Sequence, residues 1–245
     1  MLQSGKARVR QRADIHAAVL GAAARHFAEC GFDGASLRQI ASDAGVLQPQ
    51  INYHFGSKLS LWKEVVDSLM AELDVALAAI LQTSANPRHL LAEAIEAIVR
   101  SSAARPELSR IILHESTAAT PRLVWLIDAH IGPIDDALVV LWQELADWPG
   151  ARSFPLAVTH HVLMSAALPY ACSPENDLLA ARRNRLGLSR LDGAAGDPVW
   201  LQGHIDALVT ALLPPPTTVT APIATPALAG QRRGVTPRVG RASER

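Results

Sequence analysis

Cysteine is nearly absent. Cys30 and Cys172 are the only two among 245 residues, and neither has a CxxC partner, which excludes a disulfide framework and a cysteine-built zinc site. That usage suits a reducing cytoplasm. Aromatic residues make up only 4% of the chain, too few for the Val, Ile, Thr and aromatic alternation of a β-sandwich. No run of about 20 uninterrupted apolar residues occurs, so no membrane-spanning helix is expected. There is also no HExxH, nucleophile elbow, glycine-rich phosphate loop or paired-carboxylate pattern, so the sequence names no enzymatic reaction, metal or cofactor.

What is present favours helices. Hydrophobic residues reach 49%, and Ala and Leu, both strong helix formers, recur throughout, so an all-α fold of one or two units is expected. The formal net charge of zero hides an uneven distribution. Residues 1–62 hold seven Lys/Arg against four Asp/Glu, residues 63–213 eleven against eighteen, and residues 214–245 five against one. A basic block ahead of an acidic body is the pattern of a chain whose first sixty residues meet a polyanion. Basic Lys6, Arg8, Arg10 and Arg12 precede an Ala-rich stretch that resembles a secretory signal in outline. Asp14 and His16 interrupt it, and Ile15, Val19, Ala22, Ala23 and Phe27 keep helical spacing, so it reads as an amphipathic helix. Residues 1–12 read as a basic disordered arm, either a solvated tail or a minor-groove contact.

Helix punctuation organises the next fifty residues. The first helix should run from about Ala13 to Cys30 and stop at Gly31, a natural left-handed position. Ser36 is a suitable N-cap for a second helix over Leu37–Ala44, with Leu37, Ile40, Ala41 and Ala44 on one face. Gly45 ends it. A third short helix spans about Gln48 to His54, and Ser57 caps a fourth that begins at Lys58. Two short helices joined by a tight turn and braced by longer ones form a helix-turn-helix.

From Ile15 to Leu61 the chain resembles the DNA-binding domain of TetR-family transcriptional regulators. The resemblance rests on Ala22-Ala23, Phe27-Ala28-Glu29, Gly31-Phe32, Ser36-Leu37, Ile40-Ala41, Ala44-Gly45-Val46 and Asn52-Tyr53-His54-Phe55-Gly56-Ser57-Lys58 with Leu61. It covers about a fifth of the chain and implies a helix-turn-helix over 13–61, a helical effector-binding and dimerisation body over 62–213, and a homodimer on double-stranded DNA. Two positions depart from the family. Leu47 stands where Ser or Thr usually caps the third helix, and Pro49 where a small residue is common.

In such a motif the third helix enters the major groove, where Gln48, Gln50 and Asn52 are suited to base edges because an amide can bond adenine N6 and N7 together. Asn52 can instead bond locally. Tyr53, His54 and Lys58 lie where donors meet phosphate oxygens, and Ser36 and Arg38 face the backbone at the start of the second helix; the resemblance supports Tyr53 and Lys58 as phosphate contacts most directly. Tyr53 can equally be a surface aromatic. Phe55 reads as core.

Beyond the fourth helix, expected to reach Gln82, the prolines mark further helices. These open at Pro87, Pro106, Pro121, Pro155 and Pro198, with Pro133 bending the one that runs to Trp148. Residues 173–197 read as a long loop with a short helix from about Glu175 to Arg185, and residues 214–245 as a disordered Pro/Thr/Arg tail. An effector site in the body would draw on polar and aromatic residues that interrupt apolar faces: His114, Glu115, Trp125, His130, Trp142, His161, Met164 and Tyr170. Such a site suits a largely apolar ligand, unless the histidines bond backbone carbonyls or Glu115, Asp128 or Asp135. By resemblance the helices over Leu156–Cys172 and Val199–Leu213 form the dimer contact, with Leu163, Leu208 and Leu212 as anchors. The resulting expectation is a non-enzymatic, ligand-released repressor on an inverted-repeat operator. A small helical enzyme and an effector-independent architectural DNA-binding protein are the alternatives.

Overall fold

A computed structural model describes residues 2–83, 86–149, 151, 156–187 and 197–216. Among these residues the chain is helical and contains no strand. The helices are α1 (Leu2–Gly34), α2 (Leu37–Asp43), α3 (Gln48–Phe55), α4 (Lys58–Leu81), α5 (Pro87–Ala104), α6 (Pro106–Glu115) and α7 (Pro121–Leu126). A π-helical turn, Ile127–Ile131, then leads into α8 (Gly132–Leu145), followed by α9 (Leu156–Ala171), α10 (Ser173–Arg185) and α11 (Pro198–Leu212).

Helix α1 begins at Leu2, not near Ala13. The residues expected as a flexible arm are rich in Gln, Ala, Lys and Arg and contain no proline, so nothing local stops the helix from extending through them. The expected break at Gly31 is present. Its φ of 68° departs from the helix into the left-handed region that favours glycine, and a Cβ there would lie 3.4 Å from the His114 ring. The expected Ser57 cap of α4 is present, and Asn86 and Thr120 cap α5 and α7 in the same way: each side chain accepts a bond from a first-turn N–H. Ser36 precedes α2 but makes no side-chain cap bond.

Helices α1, α2 and α3 pack with the start of α4 around Phe27, Ile40, Ile51, Phe55, Leu61 and Trp62, all buried. Helix α5 is the axis of the body, touching α4, α6, α8, α9 and α11. The two parts meet where α6 lies against α1.

Pro133 interrupts α7–α8 as a π turn, an irregularity the sequence located but did not specify. A proline has no N–H to donate and its ring crowds the carbonyl one turn back. The chain accommodates this by widening the preceding turn, where Gly132 N–H bonds the Ile127 carbonyl. A Cβ on Gly132 would stand 2.9 Å from that oxygen, so only glycine fits. Helix α10 fills the first half of the expected loop, starting at Ser173; residues 188–196 lie outside the described region, as do 217–245 of the expected tail. The tail's first residues are anchored, because Pro214 is buried and its carbonyl accepts from Arg88 Nε.

Candidate nucleic-acid interface and effector chamber

The outer surface of α3 carries exposed Gln48, Asn52 and Tyr53, with Ile51 and Phe55 turned inward. That alternation follows from the helical period: the inward pair sits four residues apart and seats α3 against α2 and α4, with Phe55 also stacked on the His16 ring of α1. Gln50 behaves differently from the expectation of a free base reader. Its Oε1 accepts from Leu47 N–H at 2.8 Å. Leu47 has no oxygen with which to cap α3, so Gln50, three residues into the motif, supplies one half of a capping box from the other side. Bidentate adenine contact needs both the oxygen and the amide nitrogen, so this cap competes with base reading.

Around these residues lie the expected phosphate donors. Tyr53 is 76% exposed, and the Arg12 guanidinium lies 6.0 Å from its ring. His54 is half-buried and meets both Tyr53 and Phe55 edge-on. Arg38 is exposed and Ser36 half-buried on α2. Lys58 Nζ donates to the Asp33 carbonyl at 3.3 Å and rests 4.9 Å from the Phe32 ring centroid. An ammonium has three donors, so this anchor leaves others for an anion.

A cluster around the buried Glu115 carboxylate joins the two parts of the molecule. Arg122 Nε donates to both Glu115 oxygens, at 2.9 and 3.1 Å, and Thr120 Oγ1 donates to the same carboxylate at 3.1 Å. The Arg122 guanidinium also lies 4.1 Å from the Phe32 ring and 3.6 Å from Asp33 Oδ2. His114 Nε2 lies 3.2 Å from the Ala28 carbonyl. His114 and Glu115 therefore serve the junction and do not line a chamber.

The other expected effector residues also separate on inspection. A chamber between α4, α5, α6, α8 and α9 is lined by Met70, Leu73, Ile112, Leu138, Leu163 and Met164, with Ser101, Ser102, Ser109, Asp135 and His160 as its polar members. The volume open to water centres is about 80 Å³, several times the roughly 10–15 Å³ that one water requires. Met164 is the one expected residue that lines it. His160 does so in place of its neighbour His161, which is exposed; the one-residue error rotates the side chain by about 100° around a helix. His130 instead borders a second cavity of about 230 Å³ beside Asp74 and Leu77, while its ring nitrogens meet Asp67 at 2.9 Å and Asp74 at 3.4 Å. Trp125 packs between Trp62 and His130 with Lys63 over its ring. Trp142 packs against the core. Tyr170 OH is 3.0 Å from His204 Nδ1 and its ring meets Trp200.

Burial perturbs three titrations here. Desolvation lowers the His160 pKa below 6.5, opposed by Asp135 and reinforced by His161, and desolvation also lowers that of His204. The Tyr170 phenol is pushed up to about 12 by burial, against the opposing pull of Arg100.

The leucines expected to anchor a subunit contact face the chain's own core to different degrees. Leu163 and Leu212 are buried within the single chain and Leu208 is half-buried, because the helices that carry them already pack on α5. The outward stripe of α9 is His161, Ser165 and Leu168, and that of α11 is Gly203, Ala207 and Thr210, each at i, i+4, i+7 spacing. No described helix is long and apolar enough to cross a membrane.

Comparison with known proteins agrees with this geometry. Residues 19–65 match the family described as bacterial regulatory proteins, tetR family. The HTH-type transcriptional regulator RutR of Escherichia coli strain K12 is 31% identical over 132 residues, 52% of this chain and 61% of RutR, so the match spans about three fifths of that relative. The HTH-type transcriptional repressor NicS of Pseudomonas putida is 29% identical over 158 residues, 62% of this chain and 72% of NicS. Among solved structures, AibR in complex with isovaleryl coenzyme A and operator DNA superposes with a TM-score of 0.63 at 17% identity, covering 82% of this chain and 99% of AibR; likeness at that identity concerns the fold. Through residues 19–65, its N-terminal helix-turn-helix, the chain is similar to the tetR family of bacterial regulatory proteins.

Proposed function

We propose that the protein is a sequence-specific DNA-binding transcriptional regulator. It acts as a homodimeric repressor on an inverted-repeat operator and is released by a small, largely apolar ligand held in the chamber. The observation that carries this reading is α3: a short helix packed through Ile51 and Phe55 whose outer surface presents Gln48, Asn52 and Tyr53 to solvent. Gln48 and Asn52 are the base readers, because their amides are free where that of Gln50 is engaged in the cap. Tyr53, His54, Lys58, Arg38 and Ser36 hold the phosphates. The similarity to RutR and NicS, named a transcriptional regulator and a repressor, supports the same reading.

Two copies meet through the outward stripes of α9 and α11, whose small and apolar members Leu168, Gly203 and Ala207 let helices approach closely. Dimerisation sets the two α3 helices in successive major grooves. A ligand in the chamber contacts α6 through Ser109 and Ile112, and the end of α6 meets α1 through His114 directly and through Glu115 by way of Arg122. Its differential affinity for two placements of the reading heads sets the release. Fluorescence anisotropy with duplexes from the promoter regions beside the gene tests the DNA part. Tight binding to one duplex, with log affinity falling linearly in log salt, is expected; equal, weak binding to all duplexes would sink the assignment.

A further inference from the structure

The chamber has an unbalanced charge. Among the described residues that line it there is one carboxylate, Asp135, and no Lys or Arg. The carboxylate is 38% exposed and, among the described residues, has no cationic side chain in hydrogen-bond contact. His160 Nδ1 is 3.8 Å from Asp135 Oδ1, beyond hydrogen-bond reach. Burial also disfavours a proton on that imidazole, so it is a weak counter-ion. The remaining polar groups are hydroxyls, and that of Ser102 is already donated to the Ile98 carbonyl at 2.8 Å. An anionic ligand would lose its hydration in this chamber and meet Asp135 with no cation to offset either. A neutral ligand fills the apolar walls and leaves Asp135 as it is.

We infer that the chamber selects an apolar amine, whose hydrocarbon part lies among Met70, Leu73, Leu138, Leu163 and Met164 and whose ammonium pairs with Asp135. The inference rests on the reading of the chamber as the effector site and narrows the ligand to a charge class. It sets this chain apart from AibR, whose crystallised ligand is a coenzyme A thioester and therefore polyanionic.

Three probes of equal chain length separate the charge classes: hexylamine, hexanol and hexanoate, titrated calorimetrically into the full-length protein at neutral pH. Hexylamine should bind at least tenfold more tightly than hexanol, and hexanoate more weakly than both. Asp135→Asn should remove at least tenfold of the hexylamine affinity and leave hexanol within twofold, with folding checked by the far-ultraviolet melt. The wild-type ranking stands on its own should that variant fold poorly. A smaller amine preference, or an amine preference unchanged by Asp135→Asn, overturns the inference. Ser101→Phe, which fills the chamber, should abolish binding of all three. If the probes bind and Ser101→Phe does not affect them, or if none binds, the chamber is not the ligand site and the broader reading falls with it.

Discussion

Replacing Arg122 by Ala gives the sharpest test of how the two parts of the molecule are joined. The Glu115 carboxylate is 3% exposed and the Arg122 side chain 18%, and two Nε contacts at 2.9 and 3.1 Å hold them together. Removing the guanidinium leaves a desolvated carboxylate with only the Thr120 hydroxyl, a situation that destabilises by roughly 3–5 kcal/mol. Loss of the stacking on Phe32 adds to this by up to about 2 kcal/mol, but much of Arg122's stem lies against the same surface, so the two effects overlap. For a chain of this size about 1 kcal/mol moves the melting temperature by 2–4 °C, so a fall of roughly 6–20 °C is expected. Urea unfolding should report the same loss with an unchanged m-value. Replacing both partners, Glu115→Leu with Arg122→Met, should recover most of it, since an apolar pair leaves no buried charge. A loss below about 1 kcal/mol in Arg122→Ala, or a double variant no better than the single, would refute the claim that a buried ion pair fastens α6 and α7 to the end of α1.

Other substitutions test separate elements. Gln50→Ala should lower stability by about 1 kcal/mol through loss of the α3 cap and leave the selected operator motif intact, whereas Gln48→Ala and Asn52→Ala should each blur one base position per half-site. Lys58→Ala should weaken all sequences alike and reduce the salt slope by about one. Leu168→Arg, on the outward stripe of α9, should yield helical monomers in light scattering that no longer bind operator. His204 and His160 have folded-state pKa values below 6.5, so the unfolded chain binds more protons as pH falls through 6.5. Stability should therefore decline on acidification from that point, and His204→Gln should reduce the slope measured by urea unfolding between pH 5 and pH 7.

Much of the reading unit was legible because its signals are local. Gly31, Gly45 and Ser57 sit at turns and a cap where backbone chemistry restricts the choice of residue, and Ile51 with Phe55 declares the inward face of α3. Gln50 was legible too, had the missing oxygen of Leu47 been set against the amide three residues later. The chamber was less so. His160 and His161 differ only in which way each faces on α9, and that rotation is set by packing on α5, a contact between residues 60 positions apart. Leu163 looked like an interface anchor for the same reason: apolarity marks a residue for burial without saying against which surface. The extension of α1 to Leu2 reflects helix propensity without an amphipathic face, which a reading based on periodicity passes over.

The central claim is that α3 reads base edges as one half of a symmetric pair, and selection of bound sequences from random duplex DNA by the full-length protein tests it most directly. The account predicts enrichment of an inverted repeat whose half-sites are one helical turn apart, centre to centre, with the enriched base identities changing in Gln48→Ala and Asn52→Ala. Recovery of no enriched motif, or of a motif that neither substitution alters, would contradict it.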